Sequence, residues 1–130
     1  MILISDRVWG IVTLWAEARG ESFEGQVAVA EVIQRRTALR LFSHGTIGST
    51  VLWPLQFSCW NARDPNRDRL ATLDDEDPVV QSVIRAWERA EEGPAVVPGA
   101  THYFNPKIAS PVWGQTMTVV ANLGSHRFVR

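Results

Sequence analysis

Three carboxylates, Glu17, Glu21 and Glu24, fall close together in Glu17-Ala-Arg-Gly-Glu21-Ser-Phe-Glu24. Glu17 directly follows Trp15 and Ala16, on the last turn of an apolar stretch with helical spacing. A carboxyl held against aromatic and aliphatic groups ionises reluctantly, which suits a general acid working near neutral pH. Spacing alone equally fits a Glu17 that merely ends a solvated helix. Glu21 is its nearest companion, but Gly20 stands between them and is expected to turn Glu21 aside. Glu24 and Asp64 are more remote partners.

Two other chemistries have the residues they need. Cys59 is the only cysteine, so it forms no internal disulfide. As a nucleophile it would need His102 or His126 brought near by folding, as in a cysteine peptidase. Against this, it lies in an apparently extended aromatic block, Gln56-Phe-Ser-Cys-Trp-Asn61, and not at a helix start where a thiolate is favoured. Cys59, His102 and His126 are also a conceivable zinc set, but no close histidine pair of the H-E-x-x-H kind supports one. No metal and no cofactor is expected. In the same block Gln56 and Ser58 offer polar side chains. The plainer reading is an aromatic anchor, with Phe57 and Trp60 packed inward.

Several elements must position these groups. Ser5 or Asp6 caps a first helix in which Val8, Ile11, Val12 and Trp15 recur at helical spacing. Gly20 is placed to end it with a positive φ. Ser22 is a good N-cap for a second helix, and Glu24 in its first turn complements the dipole. Val27, Val29, Ala30, Val32 and Ile33 make that helix apolar around much of its girth, so it should be central, ending at Arg35 and Arg36. A loop from Arg40 to Leu52 holds a short turn opened by Thr46, and Trp53-Pro54 breaks it. Arg63 to Arg69 reads as an exposed, turn-rich loop. The acids of Asp74-Asp-Glu-Asp77 precede Pro78 and read as helix capping, not a metal site. Val79, Val80, Val83, Ile84 and Trp87 form the stripe of this scaffold helix, stopped by Gly93-Pro94. Thr101 to Pro106, Thr116 to Val120 and Gly124 to Phe128 read as short strands of a small antiparallel sheet.

At 130 residues the chain is one domain, 1–130, able to bury roughly two-thirds of its unfolded surface. Hydrophobic content of 45% against 21% charged residues fits a folded globule. A net charge of −1 supplies no field to recruit nucleic acid or anionic membranes. No apolar run is long enough to span a bilayer. Met-Ile-Leu-Ile-Ser-Asp lacks a basic n-region and an adequate h-region, so no secretory signal is expected.

The blocks EARGE, GQVAVAEVIQRR, QFSCWN, THYFNP, a tryptophan (Trp113) and GSHRF occur in this order. Together they resemble the SleB-type cell-wall hydrolases, a family of spore cortex-lytic enzymes and related bacterial and phage peptidoglycan-cleaving domains. The resemblance runs from about Val8 to Phe128. It implies an α+β fold, mainly helical and lysozyme/transglycosylase-like, with a small antiparallel sheet in the C-terminal third. It implies cleavage of peptidoglycan glycan strands between N-acetylmuramic acid and N-acetylglucosamine, with Glu17 as the acid. Gln56, Ser58, Trp60, His102, Tyr103 and Trp113 are the substrate-binding candidates, and Glu21 a possible second carboxylate, which the common hydrolytic routes require. With one convincing acid, a lytic transglycosylase forming anhydromuramic ends is favoured. Two other readings stay open: a Cys59/His-dependent peptidase acting on peptide stems, and a non-catalytic glycan-binding module using some of the six tryptophans. A monomeric phage endolysin, made in the host cytoplasm and acting on the wall after release, fits the lack of a signal.

Overall fold

The computed structural model describes residues 5–130; the opening residues 1–4, part of the stretch judged to lack a leader, lie outside it. The order is α1 (Asp6–Ala18), α2 (Phe23–Leu39), α3 (Ile47–Val51), α4 (Arg67–Leu70), α5 (Pro78–Glu92), β1 (His102–Phe104), α6 (Val112–Thr116), β2 (Val119–Leu123) and β3 (His126–Val129). The fold is α+β, mainly helical, with one small antiparallel sheet.

Helix α2 is the central element. Val27 through Ala30, Val32 and Ile33 are all buried, and α1, α3, α5 and β1 pack around it. Its start follows the expected rule, with Ser22 Oγ accepting from the Gly25 N–H at 3.2 Å. The buried polar groups of α2 tie loops to the core. Glu31 accepts from the N–H groups of Val96 (2.8 Å) and Val97 (3.1 Å), pinning the chain that follows α5. Capping also decides two other starts. Thr46 and Ser49 form a reciprocal box at α3, and Asp77 Oδ1 accepts from Val79 N–H at 2.7 Å at α5.

Several expectations are corrected. Ser5 makes no side-chain cap; Asp6 instead accepts from the Ile47 and Gly48 N–H groups, at 2.8 and 2.9 Å, and so anchors α3 to α1. Gly20 is not left-handed, because α1 ends on Arg19 in a right-handed conformation. Helix α2 runs a full turn past Arg35 and Arg36, and the residue that ends it in a left-handed conformation is Arg40, φ 55°. The apolar stripes are rotated from those anticipated. Val8 and Val79 are exposed, whereas Gly10, Thr13 and Leu14 of α1 and Ala86 of α5 are buried. Gly10 permits this: a Cβ there would lie 2.2 Å from the Trp87 ring, so the two helices meet where α1 has no side chain.

The block expected to be extended, Gln56 to Asn61, contains a single tight 3₁₀ turn over Ser58–Trp60. The sheet order is β1-β3-β2, so the last strand in sequence lies between the other two. Tyr103 pairs with Phe128 in β3, and Gly124, φ 57°, turns β2 into β3. The second strand begins later than expected because Val112–Thr116 folds as α6, which carries Trp113.

Candidate active site

Glu17 sits on the last turn of α1 at the wall of a cleft of about 340 Å³, lined also by Arg36, Gln56, His102, Tyr103 and Trp113. α1 supplies the acid, α2 the arginine, β1 the histidine and tyrosine, and α6 the tryptophan. Phe42, Leu55 and Phe57 complete the lining. Phe42 and Leu55 have φ of 50° and 66°, uncommon for residues with side chains. Such strained positions concentrate at functional sites. Here they turn two large side chains toward one cleft.

The Tyr103 hydroxyl donates to Glu17 Oε1 at 2.8 Å. Burial holds the Glu17 carboxyl above the usual carboxylate range, opposed by this hydrogen bond and by the positive charge of Arg36. The negative charge of Asp64 pushes it further up. Burial, and Glu17 itself, keep the Tyr103 phenol firmly protonated and hence a donor. One carboxylate oxygen is thereby fixed by Tyr103, leaving the other to carry a transferable proton. Burial and the charge of Arg36 both lower the His102 pKa, so its imidazole is neutral near pH 7. Its Nδ1 lies 2.9 Å from Thr101 Oγ1, and its ring packs 4.8 Å from that of Trp113. A carboxyl whose pKa is raised by burial, fixed by a donor beside a cation and aromatic walls, can protonate a leaving group and then receive a proton as a carboxylate.

Of the residues singled out in the sequence, Glu17, Gln56, His102, Tyr103 and Trp113 converge on this cleft, and the others are not in its lining. Ser58 is exposed and outside the lining. Trp60 donates from Nε1 to Thr13 Oγ1 at 2.9 Å and lines a separate apolar hollow with Val8, Trp9, Val12 and Leu70. Glu21 is not a second carboxylate of the cleft. Its Oε1 accepts from the Ser125 hydroxyl and N–H and lies 3.1 Å from His126 Nδ1, clamping the β2–β3 turn to the α1–α2 junction. Glu24 is exposed at the start of α2.

Cys59 is buried in the core, and burial pushes its thiol up to about 12. A thiol held so far from ionisation is no nucleophile near pH 7, which removes the basis of the peptidase reading. Among the described residues no group of three or more His, Cys, Asp or Glu side chains is placed to hold a metal ion.

As a helix end, Arg36 would be expected at the surface. In fact it is buried, with Nε donating to the Thr101 carbonyl at 2.7 Å. A signal for this was present, since Val29, Val32 or Ile33, and Arg36 continue one buried stripe at helical spacing.

No helix among the described residues is long and apolar enough to cross a membrane. In sequence the chain is similar to the spore cortex-lytic enzyme of Bacillus subtilis (strain 168), 33% identical over 120 residues, covering 88% of this chain and 34% of that protein. It is also similar to the spore cortex-lytic enzyme of Oceanobacillus iheyensis, 32% identical over 124 residues, covering 90% of this chain and 38% of that protein. The chain thus spans about a third of the length of these relatives. In structure it is similar to the catalytic domain of the germination-specific lytic transglycosylase SleB from Bacillus anthracis, with a TM-score of 0.73 and 25% identity, covering 98% of this chain and 96% of that one. The blocks that follow the acid, from the glycine beyond α1 to the last strand, match the family model described as Cell Wall Hydrolase over residues 20–129, and the chain belongs to that family.

Proposed function

We propose that this chain cleaves peptidoglycan glycan strands between N-acetylmuramic acid and N-acetylglucosamine as a lytic transglycosylase, with Glu17 as its acid and base. The observation that carries this is the Glu17 carboxyl, half-buried at the cleft wall, raised in pKa and fixed by Tyr103. Its relatives' activity supports the substrate class. In the first step Glu17 gives its proton to the glycosidic oxygen, the C1–O bond of the muramic residue breaks, and positive charge develops at C1. In the second, the muramic C6 hydroxyl attacks C1 and its proton passes to the Glu17 carboxylate, regenerating the acid. No water is consumed, and one carboxyl serves both steps. The internal nucleophile gains from proximity, being already part of the bound sugar.

A hydrolytic reading has one observation in its favour: Asp64 is close enough for its charge to raise the pKa of Glu17. It would then serve as the second carboxylate that activates water. Mass spectrometry of digested glycan separates the two, because anhydromuramic products are lighter by one water. Reducing ends that borohydride traps would overturn the transglycosylase route. Intact glycan under wild-type protein would overturn cleavage altogether. A role as a phage endolysin is part of the same proposal, tested by lysis when the chain is expressed with and without a membrane-permeabilising partner.

A further inference from the structure

Arg36 is a buried cation that no carboxylate among the described residues touches. It is only 6% exposed, yet among the described residues no carboxylate lies within ion-pair distance of it. Its protein partners are neutral: the Thr101 carbonyl at 2.7 Å from Nε and Gln56 Oε1 at 3.5 Å from Nη1. Nη2 has no protein acceptor among the described residues and is not among the fully enclosed polar atoms left without one, and Arg36 is one of the residues that line the cleft. Glu17 acts on Arg36 only through space, without an ion-pair contact. A buried charge without a counter-charge is costly, and an incoming anion recovers that cost.

The glycan strand carries one acid built into its sugars, the lactyl ether of the muramic residue. It is an amide while a peptide stem is attached and a free carboxylate once the stem has been removed. We propose that Arg36 forms a carboxylate subsite in the cleft, selecting muramic residues whose lactyl group is free and so favouring stem-free glycan. This rests on the glycan-cleaving reading above. A carboxylate brings a full negative charge to the guanidinium and can accept two parallel N–H···O bonds from it, whereas a primary amide offers one neutral oxygen. Gln56 engages only Nη1, so Nη2 is left for the ligand.

The test uses two glycan tetramers that differ only at the lactyl group, one with free carboxylates and one with primary amides. Binding is measured on the Glu17→Gln protein, which cannot turn over and mimics the protonated acid. The free-carboxylate tetramer is expected to bind about tenfold more tightly at low salt, with the advantage shrinking as salt is added. Arg36→Gln should abolish the preference and Arg36→Lys should keep part of it. Equal affinity for the two tetramers on the Arg36 protein overturns the subsite, and this comparison needs no arginine variant to fold. A preference that survives in folded Arg36→Gln overturns it as well. If Arg36 serves Glu17 alone, Arg36→Gln in the wild-type background lowers kcat equally on both tetramers and leaves their KM ratio at one. Failure of the wild-type protein to cleave either tetramer counts against the glycan-cleaving reading, whichever way the binding comparison falls.

Discussion

Replacing Tyr103 with phenylalanine removes one oxygen atom and the 2.8 Å hydrogen bond it gives to Glu17. The ring itself is kept, and so is its packing, 5.7 Å from Phe128 and 5.0 Å from His126 between centroids. Stability should therefore change by no more than about 1 kcal/mol, the net worth of one hydrogen bond. Catalysis should change more. While Glu17 is protonated the bond is an ordinary one, worth roughly 0.5–1.5 kcal/mol, but once the proton has left it is charge-assisted and worth roughly 1.5–3 kcal/mol. The difference, about 1–1.5 kcal/mol, falls on the proton-transferred state and corresponds to a loss of about five- to tenfold in kcat. Because the tyrosine hydroxyl opposes the rise in Glu17 pKa, its removal should also move the alkaline limb of the pH profile upward. The assay is kcat for soluble glycan across a pH series, with Tm measured on the same samples. An unchanged kcat and an unmoved alkaline limb in folded Tyr103→Phe protein would refute the assignment of this bond to the chemistry.

Three further outcomes are expected. Glu17→Gln should fold and lose at least about a hundredfold in turnover, as removal of a general acid does. The pKa of Glu17 is raised on folding, so its contribution is fully present below the unfolded pKa and is lost as pH rises through the folded pKa. The glutamine variant should therefore gain Tm relative to wild type as pH rises through that range, and an advantage independent of pH would contradict the burial argument. Gly10→Ala should destabilise by at least about 2 kcal/mol in a denaturant titration, since the added Cβ would lie 2.2 Å from the Trp87 ring. Cys59→Ala should keep kcat within about twofold while losing roughly 1 kcal/mol from a small core cavity, and abolished turnover in the folded variant would revive the thiol.

Sequence reading was strongest where structure is decided locally. Ser22, Thr46 and Asp77 cap helices as their side-chain chemistry requires, and the burial of Glu17 beside Trp15 follows from its place at the end of an apolar helix. Failures came where a partner distant in sequence decides. Glu21 is claimed by Ser125, 104 residues away, so its spacing from Glu17 said nothing of its role. Trp60 looked like a sugar platform until Thr13, 47 residues away, took its indole N–H. Arg36 looked like a surface helix end because the carbonyl that holds it belongs to Thr101, 65 residues on. Helix α6 was missed because its short turn carries no side-chain cap and no buried residue.

The position of β3 has a temporal meaning. It is the last strand of the sheet to be synthesised, yet β1 and β2 meet only through it. Tyr103, which holds the acid, sits in β1 opposite Phe128. A growing chain can thus pack α1 against α2 while its acid still lacks the partner that orients it. The Glu21 clamp waits longer, since Ser125 and His126 open the same strand. The register of Tyr103 and the Glu21 clamp thus both depend on β3, far in sequence from the motif that holds Glu17. A chain that loses β3 is expected to lose the register that sets Tyr103 against Phe128, so the orientation of Glu17 is tied through the sheet to residues far from its own motif.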